Sequence, residues 1–217
     1  MDIPPDQPAP SKLPNRQRRK TRTALINAAQ HLFAKNPVEG VTVDDIVVMA
    51  DVAKGSFYNH FGDKKALADE VYGEIATEVE ARINANNENI ADPAFRIARA
   101  LCTVMEYATT HPRQIQALLS LEDRRTNYVS HLNDGLANDV REGLETGRLG
   151  GVDIETGVLA VVGLVGVTIR SLISGNSVGP AQTLASHMAG CVLRALCVSA
   201  SEATQLAELA ASDIIRS

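Results

Sequence analysis

The sequence predicts an all-α protein, and three observations carry that expectation. Apolar residues recur at helical spacing along most of the 217-residue chain, beginning with Leu25, Ala28, Ala29, Leu32 and Phe33. Proline and glycine interrupt the pattern where helices start and stop, and no segment keeps a strand's two-residue alternation between turn signals. The composition, 45% hydrophobic but only 4% aromatic, suits a helical globular chain rather than a disordered one. The expected architecture is about nine helices, three in an N-terminal head and six in a body, without internal repeats.

The elements follow in chain order. The opening MDIPPDQPAPSKLPN has four prolines in its first ten residues and no apolar core, so residues 1–15 are expected to be a disordered leader rather than a signal peptide. The first helix should run from about Arg16 to Lys35 and stop before Asn36-Pro37, with Gly40 in the loop that follows. Thr42 suits an N-cap, Asp45 completes a capping-box-like pair, and Val43, Ile46, Val47 and Ala50 should face inward. After a turn at Asp51–Ala53, a third helix covers about Lys54 to His60. Gly62 fits a left-handed stop, and Asp63 fits the cap of a fourth helix beginning Lys64-Lys65. Leu67, Val71, Ile75, Val79 and Ile83 keep register along it, so it should be long enough to lead into the body.

Further helices are expected over Pro93–Thr110, Pro112–Leu121, Arg124–Thr146, Asp153–Ser174 and Pro180–Val198, with a tail near Ser201–Ile215. Pro93, Pro112 and Pro180 fit the first helical turn, where a missing N–H does no harm. Gly147, Gly150-Gly151, Gly175 and Gly179 mark breaks. The longest uncharged apolar run, Gly157 to Ile169, has 13 residues, which is short for a bilayer and reads as a buried helix. The expected division is a leader (1–15), a head (16–63) and a body (64–217).

Charge is unevenly placed. The chain carries a net −5, yet residues 11–65 hold ten Lys/Arg against five Asp/Glu, and residues 66–217 hold eleven against nineteen. A cationic head on an acidic body is the asymmetry expected when one part meets a polyanion. The run Arg16-Gln-Arg-Arg-Lys-Thr-Arg22 lies directly upstream of two short helices joined by a tight turn, the unit that fits a helix into a DNA major groove.

The head resembles the DNA-binding domain of the tetracycline-repressor (TetR) family. The matching residues are the helix Thr23–Phe33, then Gly40, Val41-Thr42, Asp45-Ile46, Ala50, Val52, Lys54-Gly55-Ser56, Phe57-Tyr58, His60-Phe61, Asp63-Lys64 and Leu67. They span about 50 of 217 residues, with small, aromatic and cationic positions coinciding at fixed offsets. Two positions depart from the family pattern. Asp51 stands where the family usually has Gly, so a left-handed turn there is strained by about 1 kcal/mol more than with Gly. Ala53 stands where the family usually has a Ser or Thr cap, a loss on the order of 1 kcal/mol.

The resemblance implies a double-stranded DNA operator as partner and assigns contacts. Thr42 would offer its hydroxyl and free N–H groups to a phosphate. Lys54, Gly55 and Ser56 would open the recognition helix, Gly55 admitting close backbone approach and Ser56 reaching a base or phosphate. Tyr58 and His60 would present polar tips to the duplex backbone, although Tyr58 could be half-buried packing and His60 a helix-end cap. Asn59 would read a base, adenine being its match, or sit in solvent. Lys64, badly placed for its own helix dipole, makes more sense beside phosphate. Arg16, Arg18, Arg19 and Arg22 form either a minor-groove and phosphate arm or a solvated face. Phe57 and Phe61 belong to the head's core.

For the body, the resemblance implies a homodimer formed by the last two long helices, with Val161, Val165, Leu172, Leu184, Met188, Cys191 and Ala195 at the interface. It also implies a small-molecule effector between the middle helices, with Phe95, Met105, Tyr107, Leu118, Tyr128, Leu132, Leu164 and Thr168 as candidate lining that could equally be plain core. Arg124, Arg125 and His131 could meet an acidic ligand or form a solvated face. Cys102, Cys191 and Cys197 are widely spaced and expected to be reduced core thiols of a cytoplasmic protein, a redox switch being the other reading. The five histidines lack paired ligand spacing, so neither a metal nor another cofactor is expected, and no catalytic constellation is visible. The sequence thus reads as a ligand-responsive regulator, most simply a repressor. The competing readings are a ligand-independent DNA binder and a helical enzyme with a docking head.

Overall fold

The computed structural model describes residues 15–121, 133–175 and 179–215. Among these, ten α-helices form, one more than expected, because the tail is a full helix of 15 residues. They are α1 (Asn15–Phe33), α2 (Val43–Met49), α3 (Lys54–Tyr58), α4 (Lys64–Asn86), α5 (Pro93–Thr110), α6 (Pro112–Ser120), α7 (Asp134–Glu145), α8 (Ile154–Ile173), α9 (Ala181–Ala195) and α10 (Ala200–Ile214). A 3-10 turn, Val38–Gly40, joins α1 to α2.

The head is built as its sequence pattern demands. Leu25, Ala29 and Phe33 of α1 are buried with Ile46 of α2 and Phe57 of α3. Thr42 and Asp45 form a reciprocal capping box at the start of α2, and Asp63 caps α4 by accepting from the Ala66 N–H at 2.7 Å. Asp51 does adopt the left-handed region, with φ 53, and the Val52 N–H closes α2 on the Val47 carbonyl at 3.1 Å. Gly62 does not: it lies in a bend before α4 without a positive φ. Here the chain turns on the Phe57 carbonyl, which accepts from both His60 and Phe61 N–H groups at 2.9 Å, so α3 ends without a left-handed residue.

The body is organised around α5, which contacts α4, α6, α7, α8, α9 and α10. Asp92 begins it as a cap and holds Arg148 through two 2.8 Å hydrogen bonds, while Arg148 also pairs with Glu202 at 2.8 Å. That bridge joins the starts of α5 and α10 to the loop after α7. The Arg148 guanidinium holds the Asp92 carboxyl below the usual carboxylate range. Arg99 accomplishes a similar tie, reaching the Asn86 carbonyl at the end of α4 and Asp213 of α10.

Pro93 and Pro112 occupy first-turn positions, but Pro180 sits one residue earlier, as the N-cap of α9. Gly147, Gly151, Gly175 and Gly179 all have positive φ, which accounts for the breaks at those points. The expected helix from Arg124 starts at Asp134 among the described residues; Arg124, Arg125, Tyr128, His131 and Leu132 lie outside them, as does the leader. Helix α8 extends past the 13-residue apolar run to 20 residues with mean hydropathy 2.0, long and apolar enough by length and composition to cross a membrane. It contacts α5, α6, α7 and α9 and buries Val158, Val161, Val165 and Ile169, which is how a core helix behaves.

Cys102 is buried, and desolvation pushes its thiol up to about 12. Cys191 and Cys197 are exposed, contrary to the expected core placement, because α9 turns the Cys191 face outward and Cys197 sits in a left-handed position after the helix end. All three are free thiols.

Candidate nucleic-acid interface

The recognition element is short. Helix α3 has five residues, its N-cap Ala53 makes no side-chain hydrogen bond, and Asn59 and His60 fall in the turn that follows. Gly55 is exposed, with open space where a Cβ would stand, so the protein's own packing does not require glycine there. Tyr58 is 55% exposed and rests edge-on against the buried Phe57 ring at 5.2 Å. This holds the ring in place while leaving much of it accessible. Asn59 is exposed and Ser56 half-buried. Arg16, Arg18 and Arg19 are exposed on the first turn of α1.

His60 links the two cationic parts. It is half-buried, and its imidazole is held below its ordinary value by burial first and then by the charges of Arg18 and Arg22. The arm and the end of α3 therefore lie on one side of the head, where an approaching phosphate would relieve the repulsion among these groups.

Four of the cations and donors expected at DNA are already engaged within the chain. Thr42 donates both its N–H (2.9 Å) and its hydroxyl (2.6 Å) to Asp45 Oδ2, so its capping box engages Thr42's own groups within the chain. These bonds hold the Asp45 carboxyl below its usual range. Lys64 Nζ donates to the carbonyls of Val41 (2.6 Å), Val38 (2.7 Å) and Glu39 (3.3 Å). It is a clamp on the turn between α1 and α2, adding a second donor to the Val38 carbonyl, which already accepts from the Val41 N–H at 3.2 Å. The unfavourable dipole position was a sound clue that Lys64 had an external partner, but that partner is backbone. Arg22 pairs with Glu70 and with Glu74 (3.5 Å) of α4 and lies over the Phe61 ring at 5.7 Å. It ties α1 to α4. Lys54 pairs with Asp44 of α2 at 2.7 Å, with both side chains more than half exposed. The sequence gives no periodic signal for the Lys54–Asp44 or Arg22–Glu70 pair, because each joins separate helices.

Val48, one turn beyond Asp44 on α2, is 79% exposed. It shares the helix face from which Asp44 meets Lys54 and so adds an apolar contact beside the start of α3.

In the body, a cavity of about 610 Å³ opens between α4, α5, α7 and α8. Ile83, Ile97, Leu101 and Val104 line its apolar side with Val161 and Val165, and Glu80, Asn84, Asn87, Arg96, Asp134 and Asp139 contribute its polar side. The volume suits a small organic ligand. The six expected lining residues that are described fall elsewhere. Met105, Tyr107, Leu118 and Thr168 are buried core, Leu164 is half-buried and accepts from the Thr168 hydroxyl, and Phe95 lies half-buried under Arg99. On α5 the cavity-facing residues are Arg96, Ile97, Ala100, Leu101 and Val104, whereas Tyr107 points to α4 and α6, donating to Glu78 at 3.0 Å and stacking on His111 at 4.4 Å. Tyr128 and Leu132 lie outside the described residues.

The residues expected at a dimer face also divide. Val161 and Val165 are buried and line the cavity. Leu172, Leu184 and Met188 are half-buried, and Cys191 and Ala195 are exposed on α9. The outward face of α8 is instead Leu159, Gly163 and Val167, the last 62% exposed. Among the described residues no group of three His, Cys, Asp or Glu side chains could hold a metal ion.

A profile of bacterial regulatory proteins of the tetR family matches residues 25–71, which span the second half of α1 through the first third of α4. The transcriptional repressor DhaR of Mycobacterium sp. strain GP1 is 33% identical over 79 residues, covering 36% of this chain and 40% of DhaR. The transcriptional repressor BepR of Brucella suis is 25% identical over 114 residues, covering 52% of this chain and 54% of BepR. The chain thus spans about half the length of the curated relatives it matches. Whole-chain likeness comes from solved structures. RolR in complex with resorcinol superposes with a TM-score of 0.59 at 23% identity, covering 88% of this chain and 95% of RolR. A gamma-butyrolactone receptor superposes with a TM-score of 0.65 at 19% identity, covering 91% and 99%. At these identities the structures establish the fold.

Proposed function

We propose a ligand-responsive repressor mechanism for this chain, a tetR-family protein whose head is the DNA-binding domain of those bacterial regulatory proteins. The observation that carries the reading is the exposed Gly55, Tyr58 and Asn59 surface of α3, set beside the exposed Arg16, Arg18 and Arg19 of α1. A short helix with an open backbone reads base edges, and flanking cations hold phosphates. In this reading residues 16–63 are the DNA-reading head and residues 64–217 the effector-binding and dimerising body, working in the cytoplasm on chromosomal DNA.

A homodimer built on the outer faces of α8 and α9 covers Leu159, Gly163, Val167, Cys191 and Ala195, which one copy leaves exposed. Two recognition helices then meet successive major grooves about 34–36 Å apart on a palindromic operator. DhaR and BepR are named as repressors, which supports promoter occlusion as the outcome.

The effector occupies the cavity between α4, α5, α7 and α8, and the resorcinol complex of RolR, a protein of the same fold, supports a small molecule as effector. Helix α4 has 23 residues, about 34 Å. Its first turn follows the recognition helix directly, and its last turns supply Glu80, Ile83, Asn84 and Asn87 to the cavity. A ligand that binds more tightly to one position of α4 shifts the population toward that spacing of the heads. DNA flanking the gene for this chain, tested by mobility shift against excess unrelated DNA, checks the reading. Retention of a particular fragment, relieved by a ligand that also binds the free protein, supports it. Retention of every fragment alike, or of none, removes it.

A further inference from the structure

We propose that Asp44 is a specificity-determining positioning residue, which holds the Lys54 ammonium back from phosphates and directs it to a guanine in the major groove. This rests on the DNA-binding reading of the head and adds how that head separates one sequence from another.

Lys54 opens α3, and its Nζ lies 2.7 Å from Asp44 Oδ1 on α2. The pair therefore joins the two helices of the DNA-facing unit at the end of α3 that meets base edges. Its side chains are 55% and 67% exposed, so neither is core packing, and a pair this open contributes little to folding. Tyr58, one turn on from Lys54, shares its side of α3, and the two side chains interact electrostatically. The ammonium thus stands between α2 and the exposed surface of α3.

A carboxylate on a surface that meets DNA is costly, because it repels phosphates within about 8–10 Å. Its place in the first turn of α2 suits the helix dipole, but Asp45 already supplies an anion there. What Asp44 adds is a restraint on the lysine. A lysine without one is a flexible point charge that reaches phosphates on any sequence. Paired with Asp44, it spends one N–H on the carboxylate and keeps two for other acceptors. Guanine presents two adjacent acceptors, O6 and N7, in the major groove, whereas adenine presents N7 beside an amino donor. On guanine the lysine finds both acceptors without leaving Asp44. On other DNA it must abandon the carboxylate or leave donors unmet, while the carboxylate stays beside the phosphates. Discrimination then comes from a repulsive group as well as an attractive one.

The test selects duplexes from a random pool with the full chain. Anisotropy titrations then compare the selected duplex with an unrelated one for the parent, Asp44→Asn, Lys54→Gln and the double variant. Both positions are exposed, and coincident thermal melts establish that the variants fold. Each selected half-site should contain a guanine whose replacement by adenine weakens parent binding at least about tenfold, and Lys54→Gln should erase that difference. Asp44→Asn should raise affinity for the selected duplex about three- to tenfold and for unrelated DNA at least about threefold more than that. The larger gain reflects a new phosphate contact, so the salt slope should steepen by about one per head on unrelated DNA alone. With Lys54→Gln in place, Asp44→Asn should raise both affinities equally. An equal rise in the parent background, with unchanged slopes, makes Asp44 a general repulsive charge and overturns the inference while leaving DNA binding intact. A selected motif without a guanine that depends on Lys54 also overturns it. Recovery of no motif overturns the DNA-reading head and this inference with it.

Discussion

Replacing Lys64 by Met separates a structural lysine from a DNA-contacting one. The ammonium makes two short hydrogen bonds, to Val41 and Val38 carbonyls, and a longer one to Glu39. A hydrogen bond to a charged group contributes about 1.5–3 kcal/mol net when its partner is left without a substitute. The Glu39 carbonyl is exposed and water replaces the lysine there, and the Val38 carbonyl keeps the Val41 N–H, so the Val41 bond counts in full and the Val38 bond only in part. The expected loss is about 2–3 kcal/mol, and for a chain of this size each kcal/mol lowers Tm by about 2–4 °C. Thermal unfolding followed by circular dichroism should therefore show Tm falling by about 4–12 °C, with Met retaining the aliphatic stem. In DNA-binding titrations well below that Tm, the salt dependence should match that of the parent protein. An unchanged Tm together with a salt slope shallower by about one would refute the clamp and restore Lys64 as a phosphate contact.

Three further outcomes are expected. Asp44→Asn frees Lys54 and removes a carboxylate from the DNA-facing side, so affinity should rise about three- to tenfold at low salt, and anisotropy titrations showing weaker binding would contradict this. Ala53→Ser supplies the absent cap of α3 and should stabilise the head by about 1 kcal/mol in urea unfolding, an effect that a neutral outcome would rule out. For Asp92, the folded carboxyl lies below its unfolded value, so its contribution is present above the unfolded carboxylate range and is lost as pH falls through the folded pKa. Asp92→Asn should lower stability at pH 7, with the two proteins converging on acidification; parallel stability curves down to low pH would exclude that linkage.

Helix existence and order were legible in the sequence because each signal is local. Caps such as Thr42 and Asp63, and the left-handed Asp51, act within a few residues and need no knowledge of the fold. The exposed surface of α3, proposed to read DNA, was legible for the same reason. What the sequence could not supply is which charged groups meet across helices. Lys64, Arg22 and Lys54 all carry charges suited to phosphate, yet their partners lie on other elements, 23 to 52 residues away in the first two cases. The expected lining on α5 lies beside the cavity face. Ile97, Leu101 and Val104 share one face of that helix, whereas Met105 and Tyr107, two residues apart, lie on opposite flanks of it, and all are apolar because α5 is surrounded. A helix buried all round carries no pattern to say which neighbour leaves space. The same ambiguity put Val161 and Val165 of α8 at an outer face when they face the cavity.

The central claim, that two cationic heads read a symmetric DNA sequence, is tested most directly by selection of bound duplexes from a random pool with the full chain. The account predicts enrichment of an inverted repeat whose half-sites lie about one helical turn apart. It further predicts that Tyr58→Ala weakens retention of that sequence. Recovery of a pool with no enriched motif, or enrichment of a motif without two-fold symmetry, would contradict it.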